Sequence, residues 1–178
     1  GDDGTIKSTA LDFGEYYVKE LKAATGYNMN TNTFDVNINA EGKTYDVNIT
    51  NRIIKGKLKV VKIDAETFVK LPNAVFGVYS KVDNAEVCQV TTGADGTIET
   101  PWLNYGDYYF KELTPPEGYL LNTNTFDFSI REEGKVYEFT VNNEPIKGKI
   151  SVTKRDAELP DLAIPGVVFE VKDKNKKV

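Results

Sequence analysis

Three polar residues in this sequence fall on strand faces that are otherwise apolar. Side chains alternate along a β-strand, so Lys62 in Lys57-Leu58-Lys59-Val60-Val61-Lys62-Ile63-Asp64 shares a face with Leu58 and Val60. In Tyr108-Tyr109-Phe110-Lys111-Glu112, Glu112 lies with Tyr108 and Phe110. In Val136-Tyr137-Glu138-Phe139-Thr140-Val141-Asn142-Asn143, Asn143 lies with Tyr137, Phe139 and Val141. Copies of all three occur elsewhere: Lys154 behind Ile150 and Val152, Glu20 behind Tyr16 and Val18, and Asn51 behind Tyr45, Val47 and Ile49. The copies also select among neighbours, because Lys59 becomes Ser151 and Asn142 becomes Thr50, whereas Lys62 and Asn143 are kept as Lys154 and Asn51.

Taken singly, such residues have ordinary explanations at strand ends, where Lys snorkels, Glu meets water and Asn caps a turn. Together they deliver an amine, a carboxyl and a carboxamide to one apolar interior. That set predicts an autocatalytic Lys–Asn isopeptide bond. Burial favours the neutral amine, which is the nucleophile. A buried carboxyl that keeps its proton can polarise the carboxamide and pass protons to the departing ammonia. The fold supplies proximity, and the product contains no buried ion. Closing the long loop from Lys62 to Asn143 would stabilise by roughly 4–5 kcal/mol if the bond acts like a disulfide of similar span. The expected catalytic acids are Glu112 and Glu20, and the expected link is Lys62–Asn143, with Lys154 and Asn51 as the corresponding cross-link residues of the flanking parts.

The elements that must position these groups are set out by a repeat. Gly1-Asp2-Asp3-Gly4-Thr5-Ile6 returns as Gly93-Ala94-Asp95-Gly96-Thr97-Ile98, a period of 92 residues. Asn30 to Asp35 returns as Asn122 to Asp127, and Ile54-Lys55-Gly56-Lys57 as Ile146-Lys147-Gly148-Lys149. The register then slips by one, so that Pro72, Phe76 and Val78 match Pro165, Phe169 and Val171. The expected organisation is the back part of one repeat (1–54), a complete repeat (55–146) and the front part of another (147–178). A period this long suits an array of small domains rather than a solenoid. Seven strands are expected in the complete repeat: 57–64, 75–81, 86–91, 97–100, 107–113, 125–130 and 135–143. Turn chemistry separates them at Asp95-Gly96, Asn104 to Gly106, Pro115 to Gly118 and Glu132 to Gly134. Short strands with frequent turns predict an all-β sandwich.

Bulk properties exclude several other chemistries. With no His and one Cys, neither a Ser-His or Cys-His constellation nor an internal disulfide is available, and no metal or cofactor is called for. A net charge of −5 argues against a nucleic-acid partner; the one basic cluster, Lys172 to Lys177, reads as a solvated edge strand or loop. No apolar run is long enough for a membrane span, and no signal peptide is visible, as would hold for a mature or excised fragment.

The succession Gly56-x-Leu58-x-Val60-x-Lys62-x-Asp64, Ala74-x-Phe76, Asp95-Gly96, Leu103-x-x-Gly106-x-Tyr108-x-Phe110-x-Glu112, Pro116-x-Gly118-Tyr119 and Asn143 resembles the Cna B-type domain of Gram-positive surface adhesins and pilins. The resemblance covers the complete repeat and both flanking parts. It implies a seven-stranded, prealbumin-like (inverse Ig-like) sandwich with Lys62 joined to Asn143, Glu112 as the acid and Phe76 packed near the bond. It also implies an extracellular location at the cell surface or cell wall, and a structural stalk or fibre role rather than an enzyme. Thr25-Gly26-Tyr27 departs from the pattern in lacking the proline found at Pro116. There is no Leu-Pro-x-Thr-Gly sorting signal, so sortase polymerisation is not indicated by these residues.

The expected partners are neighbouring repeats or identical subunits. Residues 147–178 and 1–54 are complementary pieces of one sandwich, read first as a window cut from a longer array of repeats; in the alternative, Lys154 of one chain joined to Asn51 of the next, with Glu20 as acid, would give a covalent fibre. The competing reading is an adhesin module that binds a host or matrix polymer directly through an exposed aromatic patch. Several further features have simple structural expectations. Asp95-Gly96 is a hairpin turn rather than a calcium loop, Cys88 a buried thiol, and Trp102, Tyr17 and Tyr109 packing residues. Carboxylate pairs such as Asp107 and Glu112 do not define a glycosidase cleft.

Overall fold

A computed structural model describes residues 1 and 3–172, so most of the Lys-rich run at 172–177 lies outside the described residues. Ten strands and no α-helix occur among them. They are β1 (Gly14–Lys19), β2 (Thr33–Ile38), β3 (Lys55–Asp64), β4 (Val75–Ser80), β5 (Glu86–Thr91), β6 (Thr97–Glu99), β7 (Leu103–Asn104), β8 (Gly106–Thr114), β9 (Thr125–Ile130) and β10 (Val136–Asn143). The chain divides into two compact units, Gly1–Pro145 and Ile146–Val178.

All seven strands expected between 55 and 146 form, with ends moved by a residue or two and the short β7 added. They build two sheets. One has the order β10-β3-β6 with β7 also pairing β3, and the other has the order β5-β4-β8-β9. β10 runs parallel to β3 and β6 runs antiparallel to it, so the first and last long strands of the repeat lie side by side. Alternation along β3 buries Leu58, Val60 and Lys62 completely, and along β8 it buries Tyr108, Phe110 and Glu112. Phe76, Val78, Ile130 and Val141 complete a core closed by both sheets. Phe110 sits at its centre, in edge contact with Phe76 and Phe139 and stacked on Phe126.

Residues 1–54 keep part of this design. β1 and β2 pair antiparallel in the register of β8 and β9, with Tyr16 opposite Val36 where Tyr108 lies opposite Phe128. The stretch from Tyr45 to Asn51, expected to be a strand, is not one. β10 is the edge strand of its sheet and is paired to β3 alone, and residues 1–54 contain no copy of β3. Alternation survives without the ladder, since Tyr45, Val47, Ile49 and Asn51 are half-buried while Thr44, Asp46, Asn48 and Thr50 are exposed. Val18, expected on a core face, is 36% exposed for the same reason.

The partial and complete repeats meet through main-chain bonds. Ile54 N donates to Gly26 O within the partial repeat at 2.8 Å, and Tyr105 N of the complete repeat donates to Ile54 O at 2.7 Å. Glu133 Oε2 accepts from Asn28 Nδ2 and from Lys55 N at 2.8 and 2.9 Å. In the second unit no strand forms among the described residues; Arg155 and Ala163 make an isolated bridge, and Ile150, Val152 and Lys154 are exposed.

Candidate isopeptide site

Strand registry brings the first site together. Lys62 pairs with Val141 and Asp64 with Asn143 across the parallel β3–β10 ladder, so amine and carboxamide lie on the core face of one sheet. Glu112 reaches them from the opposite sheet, where it pairs with Phe76. Lys62 is 0% exposed, Glu112 4% and Asn143 3%.

Asn143 Nδ2 donates to Glu112 Oε1 at 3.0 Å and to Oε2 at 2.9 Å. Lys62 Nζ stands 3.9 Å from Glu112 Oε1 and donates to Val141 O at 3.1 Å. Asn143 Oδ1 is buried without a hydrogen-bond partner. A buried acceptor left unpaired is costly. Half a turn of the carboxamide would exchange Nδ2 and Oδ1 and present the oxygen to Glu112, an arrangement that a protonated carboxyl selects.

The electrostatics favour a nucleophile. Burial pulls the Lys62 amine down from 10.5 to about 8, against the opposing pull of the Glu112 and Asp64 carboxylates. Two full charges in this apolar setting are costly, and that cost weighs against the Lys62 ammonium.

Three supporting residues were given no role from the sequence, although Asp64 and Tyr119 stand in the motif that carries the resemblance. Asn122 N donates to Glu112 Oε2 at 2.8 Å, while its side chain donates to Asn142 O at 2.9 Å. Tyr119 donates its hydroxyl to Asp64 Oδ2 at 2.7 Å and pins the segment between β8 and β9 to the end of β3. Asp64 Oδ1 also accepts from Glu66 N and Thr67 N, and these bonds hold its carboxyl down at about 2, Thr67 contributing most. The signal was present, because Asn122, Tyr119 and Asp64 recur as Asn30, Tyr27 and Asp156.

The second set is placed differently. Asn51 Nδ2 donates to both Glu20 oxygens at 2.8 Å, and Asn30 N donates to Glu20 Oε2 at 2.5 Å. Lys154, the expected amine, is exposed in the second unit.

The remaining features are peripheral. Trp102, expected to pack, is 52% exposed with the Lys57 ammonium 5.0 Å from its ring centroid; Tyr17 is exposed, and Tyr109 stacks on Tyr79. Cys88 is half-buried, and burial pushes its thiol up. Asp95 closes its turn by accepting from Thr97 N at 3.0 Å.

Comparison with known proteins agrees with this architecture. The model of a prealbumin-like fold domain, SpaA, matches residues 1–53 and 56–145. The trypsin-resistant surface T6 protein of Streptococcus pyogenes serotype M6 is 32% identical over an alignment of 143 residues that covers 70% of this chain and 26% of that protein. The collagen adhesin of Staphylococcus aureus is 32% identical over 100 residues, 53% of this chain and 8% of the adhesin. Among solved structures, the Bacillus anthracis TIE protein superposes with a TM-score of 0.72 at 33% identity, covering 76% of this chain and 26% of that one. The chain thus spans about a quarter or less of these relatives' own length. The Cna B-type resemblance and the all-β prealbumin-like fold are both borne out by these matches, and the chain belongs to the SpaA family of prealbumin-like fold domains.

Proposed function

We propose that the complete repeat is a load-bearing module of a bacterial cell-surface stalk or filament, tied internally by an isopeptide bond between Lys62 and Asn143. The observation that carries this reading is the burial of Lys62 and Asn143 on the adjacent strands β3 and β10, with Glu112 within reach of both from the opposite sheet. Lys62 Nζ, as the free amine, attacks Asn143 Cγ. The Cγ–Nδ2 bond breaks, and the proton shed by Nζ reaches Nδ2 through Glu112, so that one ammonia leaves. Glu112 starts and ends the reaction in the same state. The chemistry occurs once per domain, consistent with a structural part rather than an enzyme.

The mechanical role follows from the strand arrangement. Tension entering β3 at Lys55 passes along the strand to Lys62, crosses the bond and leaves at Asn143, so the segment between the two carries none of it. Similarity to a surface T6 protein and to a collagen adhesin supports a cell-surface location.

Intact mass of the purified protein tests the bond. The wild type should weigh one ammonia less than its sequence, with a linked peptide pair containing Lys62 and Asn143; Glu112→Ala should restore the full mass. A folded wild type at full mass would end this reading.

A further inference from the structure

The Glu112 side chain ends in a soft torsion, since rotation of a carboxyl about its last carbon–carbon bond is broad and two-fold. Strand alternation therefore delivers the acid to the core without deciding which oxygen turns toward Lys62. In the folded chain the two oxygens differ. Oε2 accepts from Asn122 N at 2.8 Å, and Oε1 stands 3.9 Å from Lys62 Nζ. Both accept from Asn143 Nδ2, so the neighbour that distinguishes them on the other side is the main-chain N–H of Asn122.

That N–H is aimed by the Asn122 side chain. Asn122 Oδ1 accepts from Asn124 N at 3.0 Å, which closes a local turn, and Nδ2 donates to Asn142 O at 2.9 Å, one residue before the reacting carboxamide. The connection between β8 and β9 is thereby tied to β10. One half-buried residue thus touches the acid with its main chain and the strand of Asn143 with its side chain. The same three bonds occur in residues 1–54: Asn30 N to Glu20 Oε2 at 2.5 Å, Asn30 Nδ2 to Thr50 O at 3.0 Å, and Asn32 N to Asn30 Oδ1 at 3.0 Å. Asn142 and Thr50 have different side chains, so the shared partner is the main-chain carbonyl.

We propose that Asn122 is a positioning residue for the reaction at Lys62: its side chain locks the acid to the strand that bears Asn143, and its N–H reserves Glu112 Oε1 as the oxygen that moves the proton. The inference rests on the Lys62–Asn143 bond read above. Nζ bonds to Asn143 Cγ, the proton it sheds goes to Oε1, and Oε1 returns a proton to Nδ2 as the Cγ–Nδ2 bond breaks and ammonia leaves. Oε2, held by Asn122 N, keeps the carboxyl from turning. Loss of that hold slows the chemistry more than it disturbs the fold, because a misplacement of about 1 Å can cost about a hundredfold in rate.

Full-length chains recovered unlinked in denaturant test this on refolding, with intact mass following the loss of ammonia and near-ultraviolet circular dichroism following folding. Asn122→Ser keeps an oxygen for Asn124 N but cannot reach Asn142 O, and Asn122→Ala loses both bonds. Each should fold and then lose ammonia at least about tenfold more slowly than the wild type. Ile130→Val, at the opposite end of the β8–β9 ladder from Glu112, should lower stability and leave the rate of the folded chain unchanged. In a Lys62→Met background, which cannot link, the Asn143 carboxamide signals in nuclear magnetic resonance should move with Asn122→Ser and stay in place with Ile130→Val. Wild-type rates in both Asn122 variants would overturn the inference and leave the Lys62 reading intact. So would an equal slowing by Ile130→Val, unmoved Asn143 signals, or failure of both Asn122 variants to fold. A folded wild type at full mass would remove the Lys62 reading and the inference with it.

Discussion

Lys62 and Glu112 face each other in the core, Nζ 3.9 Å from Oε1. The reactive form, amine plus acid, holds one proton, the same number as the ion pair. With the lysine pulled down to about 8, raising the pH through that value removes the last proton and leaves a carboxylate that cannot protonate the departing nitrogen. Chain refolded from the unlinked, denatured state should therefore lose ammonia at a rate that is level near neutrality and falls above about pH 8. Time-resolved intact mass gives the rate; a rate that keeps climbing beyond pH 9 would rule out Glu112 as the proton carrier.

At the scale of elements, the end of β3 is fastened by Asp64, which accepts from two turn amides and from Tyr119. Its carboxyl lies near 2 in the folded chain against 3.8 as the ordinary value, so the stabilisation is present above 3.8 and is lost as pH falls toward 2. Asp64→Asn should lower the melting temperature at neutral pH and erase the part of the acid-unfolding profile between those values. Tyr119→Phe removes one of the three bonds and should lie between. The sheets depend on Phe110, fully buried among four aromatic neighbours. In a Glu112→Ala background, where the proposed bond should not form, Phe110→Ala should cost about 3–5 kcal/mol by denaturant unfolding.

Across the first unit, the partial and complete repeats are set against each other at Gly26. Its φ is +87°, and a Cβ there would stand 2.9 Å from the Tyr105 ring, itself held beneath the Arg131 guanidinium. Gly26→Ala combines backbone strain with that collision and should destabilise the joint by more than about 1 kcal/mol. The check is faster amide hydrogen exchange at Ile54 and Tyr105, with exchange at Phe110 unchanged. Under force, wild-type domains should show no extension from the segment between Lys62 and Asn143, whereas Glu112→Ala domains should release it. Single-molecule stretching distinguishes the two outcomes.

Alternation and repetition made much of this molecule readable in its residues. Leu58-x-Val60-x-Lys62 and Phe110-x-Glu112 place a charge on an apolar face whatever the fold, because a strand has period two, and the 92-residue echo identified which polar residues to follow. Local pattern does not encode strand partners, so only the tertiary structure decided that β10 lies parallel to β3 and that Glu112 approaches from the other sheet. The bonds from Tyr119 to Asp64 and from Asn122 to Glu112 span ten residues or more and depend on how one connecting segment folds back, so no spacing rule revealed them. Residues 44–51 show the same limit from the other side. They carry the strand pattern of β10, yet without a β3 beside them there is nothing to complete the ladder, since a strand exists only where a neighbour answers its main-chain hydrogen bonds.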